Sequence, residues 1–147
     1  MSAAAIVLEI PSRTEFLSLV RALAKRTALR AGFPEAEAEQ VGLAVDECAT
    51  NVIKHAYHDA RDRRLQLRLD DTGLELVVEV VDTGDAVDPE AVPKVDLEKY
   101  ASERRKGGLG VHLMGKIMDS VTFMRIAGAN VCRLVKRKHA GEQDGAA

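Results

Sequence analysis

The chain has 147 residues, with 23 acidic against 21 basic side chains and a formal net charge of −2, which is the length of one domain with one core. Charges of both signs are mixed along it, so it lacks the basic surface that duplex nucleic acid requires, which argues against direct nucleic-acid binding. Its two cysteines, Cys48 and Cys132, lie among apolar neighbours and read as buried thiols of a reducing compartment; with no apolar run of membrane-spanning length and no basic region opening MSAAAIVLEI, the expected location is the cytoplasm, off the membrane.

Ala4 to Ile10 is an apolar run that predicts a first or edge strand. Ser12-Arg13-Thr14-Glu15 has the spacing of a capping box, and the helix it should start carries Phe16, Leu19, Val20 and Leu23 at helical spacing. Ala31-Gly32-Phe33-Pro34 ends that helix and opens the next, whose core face carries Val41, Ala44, Val45, Cys48, Val52 and Ala56. Beyond a charged turn around Asp59 to Asp62, Leu65, Leu67 and Leu69 alternate, Asp71-Thr72-Gly73 turns, and Leu74 to Val81 completes a β-hairpin. Periodicity fades from Thr83 to Lys106, apart from a short helix around Leu97 to Ala101; an irregular stretch of that length in a compact domain predicts a lid or a binding segment. Gly107-Gly108-Leu109-Gly110 opens a third helix through Met118, with Val111, Met114 and Met118 on one face. Val121 to Ile126 and Val131 to Val135 form a last hairpin around Gly128-Ala129-Asn130. Helices with antiparallel hairpins predict an α+β sandwich, a mixed and mostly antiparallel sheet with helices on one face. The domain is expected over residues 1–136, followed by a disordered polar tail, 137–147.

The stretch VVDTGDAVDP, Val80 to Pro89, closes the central hairpin. Asp-Thr-Gly after two apolar residues fits an aspartic protease. Asp-x-Gly at the end of a buried strand equally fits a carboxylate accepting from the exocyclic amine of a flat ring, with Gly84 leaving room beside Asp82. The protease reading requires a β-rich dimer that shares a proton between two aspartates, and the strong helical patterns on either side of Asp82 argue against it.

Glu47, Asn51 and His55 follow one another at steps of four on the second helix and share a stripe. Glu47 can accept a proton, and Asn51 offers a neutral oxygen to a hard cation such as Mg²⁺; the plain alternative is a solvated polar face, and His55 is expected to be packed and hydrogen-bonded. Gly107, Gly108 and Gly110 ahead of a helix let backbone N–H groups approach an anion, with Lys106 beside them to neutralise a terminal phosphate. The glycines match neither G-x-x-x-x-G-K-S/T nor a strand-borne G-x-G-x-x-G, and Glu103 to Lys106 is otherwise a solvated charged loop.

Taken in order, E-x-x-x-N-x-x-x-H-A-Y on a helix, D-x-G at a strand end, a long loop and G-G-L-G before a helix resemble the GHKL ATP-binding domain of gyrase, Hsp90, MutL and histidine kinases. Within that group the chain resembles the anti-sigma factor serine kinases of the RsbW and SpoIIAB family. The closer likeness is carried by D-x-G-x-x-x-D-P at Asp82 to Pro89 and G-G-L-G-V-H-L-M at Gly107 to Met114, and it spans Ala4 to Lys136. It departs at Ala86 and Val87, where relatives often have a glycine and an aromatic residue, a change that touches the packing of that loop.

The resemblance implies the two-layer GHKL (Bergerat) sandwich and the binding of ATP or ADP with Mg²⁺. It implies Glu47 as general base, Asn51 as Mg²⁺ ligand, Asp82 as adenine contact, and Gly84, Gly108 and Gly110 as pocket backbone, with Lys106, Gly107 and Leu109 completing the nucleotide-binding set. The implied activity is phosphorylation of a serine on a STAS-domain anti-anti-sigma protein, by a homodimer that also sequesters a sigma factor or another regulator in a partner-switching system. The first strand and helix would present much of the dimer interface, and Pro89 to Lys106 would be a lid ordered by the γ-phosphate. Arg21, at a spacing ahead of Glu47 where a related kinase carries an arginine, is a candidate partner contact; its plain reading is a snorkelling surface arginine. The alternative function is a non-catalytic, ATP-sensing GHKL module that sequesters a regulator, against which the presence of Glu47 argues.

Overall fold

Alternation of apolar side chains decides which face of the sheet is buried. Leu65, Leu67 and Leu69 on one strand and Leu76, Val78 and Val80 on the next are each at most 1% exposed, because period-two spacing sends all six to the same side. The structure, a computed structural model, describes residues 5–86 and 108–139. The expected lid over Pro89 to Lys106 and the helix around Leu97 to Ala101 lie outside these residues, as does the chain from 140 onward.

Among the described residues the strands are β1 (Ile6–Pro11), β2 (Arg64–Asp71), β3 (Glu75–Asp82), β4 (Ser120–Ile126) and β5 (Ala129–Arg137). They lie in the order β1-β2-β3-β5-β4, and every described pairing is antiparallel. The helices are α1 (Leu17–Arg30), α2 (Glu35–Asn51) and α3 (Gly108–Ile117). Their buried side chains join Ile10, the inward leucines and valines, Cys132 and Leu134 in one core. The expected two-layer α+β sandwich is thus present, and both cysteines are buried and free.

Local chemistry explains the boundaries. A 3₁₀ turn, Thr14–Phe16, leads into α1, and its N-terminus has no side-chain cap. Ser12, expected to cap, instead donates to the Ala60 carbonyl and accepts from the Arg63 N–H at 3.2 Å, so its hydroxyl fastens the end of β1 to the loop before β2. α1 ends in a Schellman motif: Gly32 has φ +104°, its N–H donates to the Leu29 carbonyl at 3.1 Å, and the Phe33 N–H donates to Ala28 at 3.1 Å. Pro34 then precedes α2, whose first turn carries Glu35 and Glu37 at the positive end of the helix dipole.

α2 continues into a single π turn, Val52–Ala56, in which the Tyr57 N–H reaches back five residues to the Val52 carbonyl at 3.0 Å. Glu47 and Asn51 lie in regular helix, but His55 lies in the widened turn and is exposed, so its expected packing does not occur. The β4–β5 turn is also earlier than expected. Ala127 and Gly128, at φ 50° and 81°, form a two-residue turn with the signs of type I′, which leaves Ala129 and Asn130 inside β5. At the other end β5 runs through Arg137, the Lys138 N–H donates to the Leu74 carbonyl at 3.0 Å, and His139 meets Glu37 at 2.7 Å. Ordered chain therefore passes the boundary expected at 136.

Two glycines test this account of close packing. A Cβ at Gly84 would sit 2.4 Å from the Ala56 carbonyl oxygen, whereas a Cβ at Gly115 in α3 would meet nothing within 4 Å. Gly84→Ala is expected to cost about 1–3 kcal/mol in urea unfolding, the range for overpacking. Gly115→Ala should instead stabilise by about 0.5–1 kcal/mol through helix propensity.

Candidate active site

The regular part of α2 places Glu47 and Asn51 one turn apart on the same side, both half-buried. Burial pushes the Glu47 carboxyl above the ordinary glutamate range, and the neighbouring Asp46 charge pushes it further; Lys54 and Arg21 act in the opposite direction. A carboxylate tuned upward is a better proton acceptor near neutral pH. Asp46 is also raised by its burial, against the pull of Arg21 and of the Thr50 hydroxyl. Arg21 reaches across from α1 to Glu39 at 3.5 Å and to Asp46 at 3.8 Å with its side chain 42% exposed. It is therefore an arginine held at the α1–α2 seam beside the catalytic candidate, and Gly42 permits that close crossing, since a Cβ there would lie 3.0 Å from the Arg21 carbonyl oxygen.

Asp82 is the last residue of β3 and only 4% exposed. Its Oδ1 accepts from the Gly84 N–H and from Asn130 Nδ2, each at 2.9 Å. Asn130 Nδ2 also donates to the Asp85 carbonyl at 2.7 Å, and its Oδ1 accepts from Arg125 at 2.9 Å. Burial raises the Asp82 carboxyl above the ordinary aspartate range, while Asn130, the Gly84 N–H, Arg125 and Arg63 hold it down in part. The described donors fall on Oδ1, and Oδ2 is the oxygen left for a ligand amine. Asn130 is the functional residue that turn-based reading misses, because glycine and asparagine together suggest a turn. Counting back in twos from Leu134 and Cys132 puts it on the buried face, opposite Asp82 in the ladder.

The Asp82-Thr83-Gly84 segment is bound to the end of α2. The Asp85 N–H donates to the Ala56 carbonyl at 3.1 Å, and the Thr83 N–H donates to the Tyr57 hydroxyl at 2.9 Å. The space that glycine creates at 84 is thus filled by the Ala56 carbonyl and the Tyr57 ring. α3 packs beside α2, and Gly108, Leu109 and Gly110 are its first three residues; the first N–H groups of a helix lack intrahelical partners and suit an anion. Lys106 and Gly107 lie outside the described residues. Among the described residues no three His, Cys, Asp or Glu side chains gather as a metal cage. Asn51 beside Glu47 nevertheless fits Mg²⁺, a cation that keeps most of its waters and takes few protein ligands.

Asp82 permits a test that separates function from folding. Because its folded-state pKa is raised, the stability associated with its protonated form is complete below the ordinary aspartate range and is lost as pH rises through the folded value. Asp82→Asn, a neutral isostere, should therefore melt no lower than wild type at pH 7 while nucleotide affinity in calorimetry falls by about 1–3 kcal/mol. A lower melting temperature at pH 7 would count against this account.

The chain matches the histidine kinase-like ATPase domain family over residues 10–136. It is 30% identical over 127 residues to the serine-protein kinase RsbW of Halalkalibacterium halodurans, covering 84% of this chain and 77% of that one. Against RsbW of Listeria monocytogenes it is 32% identical over 130 residues, covering 86% and 83%. Among solved structures it resembles the SiaB-SiaC complex from Pseudomonas aeruginosa, with TM-score 0.62, 13% identity and 88% of each chain covered. It also resembles the RsbU and RsbW domains of a Mycobacterium tuberculosis protein, with TM-score 0.60 and 14% identity, covering 92% of this chain and 32% of that longer one; at such identities these two likenesses concern the fold. By its sequence the chain belongs to the histidine kinase-like ATPase family and, within it, to the RsbW serine-protein kinases.

Proposed function

We propose that this protein binds ATP with Mg²⁺ between the C-terminal half of α2, the end of β3 and the start of α3, and phosphorylates a serine on a STAS-domain antagonist protein. It also sequesters a sigma factor or another regulator, exchanging that partner for the antagonist, and it acts as a homodimer. The observation that carries the reading is the divided carboxylate of Asp82, whose Oδ1 is committed to Gly84 and Asn130 while Oδ2 can accept from the adenine amine. Relatives named serine-protein kinase RsbW support the chemistry, and a neighbour solved as the SiaB-SiaC complex supports a partner protein.

In this reading Asn51 gives its amide oxygen to the cation, and the first turn of α3 turns its N–H groups to the phosphates. Bound Mg²⁺ supplies charge neutralisation across the phosphates. Glu47 takes the serine hydroxyl proton as the oxygen attacks the γ-phosphorus in line, and ADP leaves.

Incubation of the protein with labelled ATP and the STAS protein tests the assignment. Glu47→Ala should keep nucleotide affinity and lose phosphoryl transfer by about two to four orders of magnitude; equal loss of both would make Glu47 structural. Glu47 works deprotonated, so activity should fall as pH drops through its raised pKa, with the acid limb above the ordinary glutamate range. Asp46→Asn should move that limb to lower pH.

Arg21, placed at the seam beside Glu47, is the proposed partner contact. Arg21→Ala should weaken capture of the antagonist or the regulator by about 1 kcal/mol or more, as truncated hot-spot arginines do. It should also move the acid limb to higher pH, because it removes a cation that steadies the Glu47 carboxylate. Wild-type affinity for both proteins in a pulldown would return Arg21 to the ordinary surface.

A further inference from the structure

β3 ends at Asp82, and with it the ladder that satisfies backbone groups. The next residue, Thr83, must find other partners for its N–H and carbonyl, and two side chains supply them. The Tyr57 hydroxyl accepts from the Thr83 N–H at 2.9 Å and donates to the Arg64 carbonyl at the start of β2. Arg63 donates through Nη2 to the Thr83 carbonyl at 3.0 Å and to its hydroxyl at 3.3 Å. The Arg63 guanidinium also lies 4.8 Å from the centre of the Tyr57 ring, so the two side chains brace each other by a cation–π contact. Tyr57 itself is 3% exposed, and its ring stands against Gly84, where a Cβ would come within 2.9 Å of Cδ1.

The π turn explains how Tyr57 gets there. One extra residue in the turn rotates whatever follows by about 100°, the angle of one helical residue. Tyr57 is bonded back to Val52 across that turn and lies under the end of β3, where its hydroxyl meets the Thr83 N–H.

We propose that Tyr57 and Arg63 are positioning residues that set the site's preference for adenine over other purines, by fixing the peptide that follows Asp82 and hence the direction of its free carboxylate oxygen. The proposal rests on the reading of Asp82 as the adenine contact. A carboxylate can accept from the 6-amino group of adenine but repels the 6-oxo group of hypoxanthine, and it discriminates only while held in place. Productive geometry of this kind tolerates displacements of about 0.5 Å, and a polar group left unpaired is what rejects the wrong base. Asn130 fixes the carboxylate from the side, and Tyr57 with Arg63 fixes the backbone that carries it.

The test measures the dissociation constants of Mg²⁺ADP and Mg²⁺IDP for the full-length protein by calorimetry and compares their ratio. Wild type should prefer ADP. Asp82→Asn should abolish the preference, because an asparagine amide can face either an amine or an oxo group. Tyr57→Phe should reduce the preference by about three- to tenfold, the size of a lost neutral hydrogen bond, chiefly by weakening ADP. Arg63→Gln changes an exposed residue, so it keeps the test alive if the tyrosine variant fails to fold, and it should reduce the ratio about twofold or more. If Asp82→Asn abolishes the preference while the folded Tyr57 and Arg63 variants keep the wild-type ratio, or weaken both nucleotides equally, the positioning role is overturned and the adenine reading stands. An ADP preference that survives Asp82→Asn overturns the adenine reading itself.

Discussion

The site depends on a backbone contact between helix and sheet: the Ala56 carbonyl, in the π turn after α2, accepts the Asp85 N–H at 3.1 Å and leaves no room for a side chain at 84. This approach fixes the height of the end of β3 relative to α2. Asp82, which precedes it, and Glu47 and Asn51, which lie on the regular helix above it, take their relative positions from that contact. A helix that ended at Asn51 or continued without widening would present the same catalytic stripe but would lose the hold on the strand end. The irregular turn is thus what links the helix that carries Glu47 and Asn51 to the strand that ends at Asp82, in keeping with the frequent placement of π turns at functional sites.

Around that contact every buried polar side chain among the described residues has a partner. Ser12 bonds the 60–63 loop, Tyr57 bonds Thr83 and Arg64, and Glu79, on the other face of the sheet, takes two bonds from Arg133 at 3.0 and 2.9 Å. The thiol of Cys48 is pushed up by its contact with Cys132 and by burial, which keeps it protonated and unreactive. Satisfied polar groups in a low-dielectric setting hold one geometry, as the proposed reading of a base by Asp82 requires.

How much was legible in the sequence follows from the range of each signal. The alternation of Leu65, Leu67 and Leu69, the turn at Asp71-Thr72-Gly73 and the apolar face of α2 are local periodic patterns, and each appears where that pattern places it. The glycine run likewise opens a helix, which begins at Gly108. What escaped is what depends on distant partners. Ser12 has the spacing of a cap but is drawn to Ala60 and Arg63, across nearly fifty residues. The widened turn after Asn51 has no signature in propensity, and His55, expected to be packed, is exposed within it. Asn130 hid behind a strong turn composition, although the inward alternation of its own strand held the information. The role of Tyr57 could not be read from spacing at all, because Thr83 meets it only in the folded chain.

The two candidate carboxylates illustrate how one physical cause can serve two roles. Burial raises both Glu47 and Asp82, which by itself favours the protonated form of each. At Glu47 the neighbouring Asp46 charge adds to the effect, and the opposing influences are the Lys54 and Arg21 charges. The environment suits a group that must pick up a proton during a reaction. At Asp82 the opposing influences are first the hydrogen bonds from Asn130 and the Gly84 N–H, built into the sheet and its exit, and then the Arg125 and Arg63 charges. Such fixed donors favour a permanent acceptor rather than a group that cycles between states. In the proposed reading the two carboxylates differ in the main compensation each receives, neighbouring charge at Glu47 and hydrogen bonds at Asp82, which suits the first to acid–base work and the second to recognition.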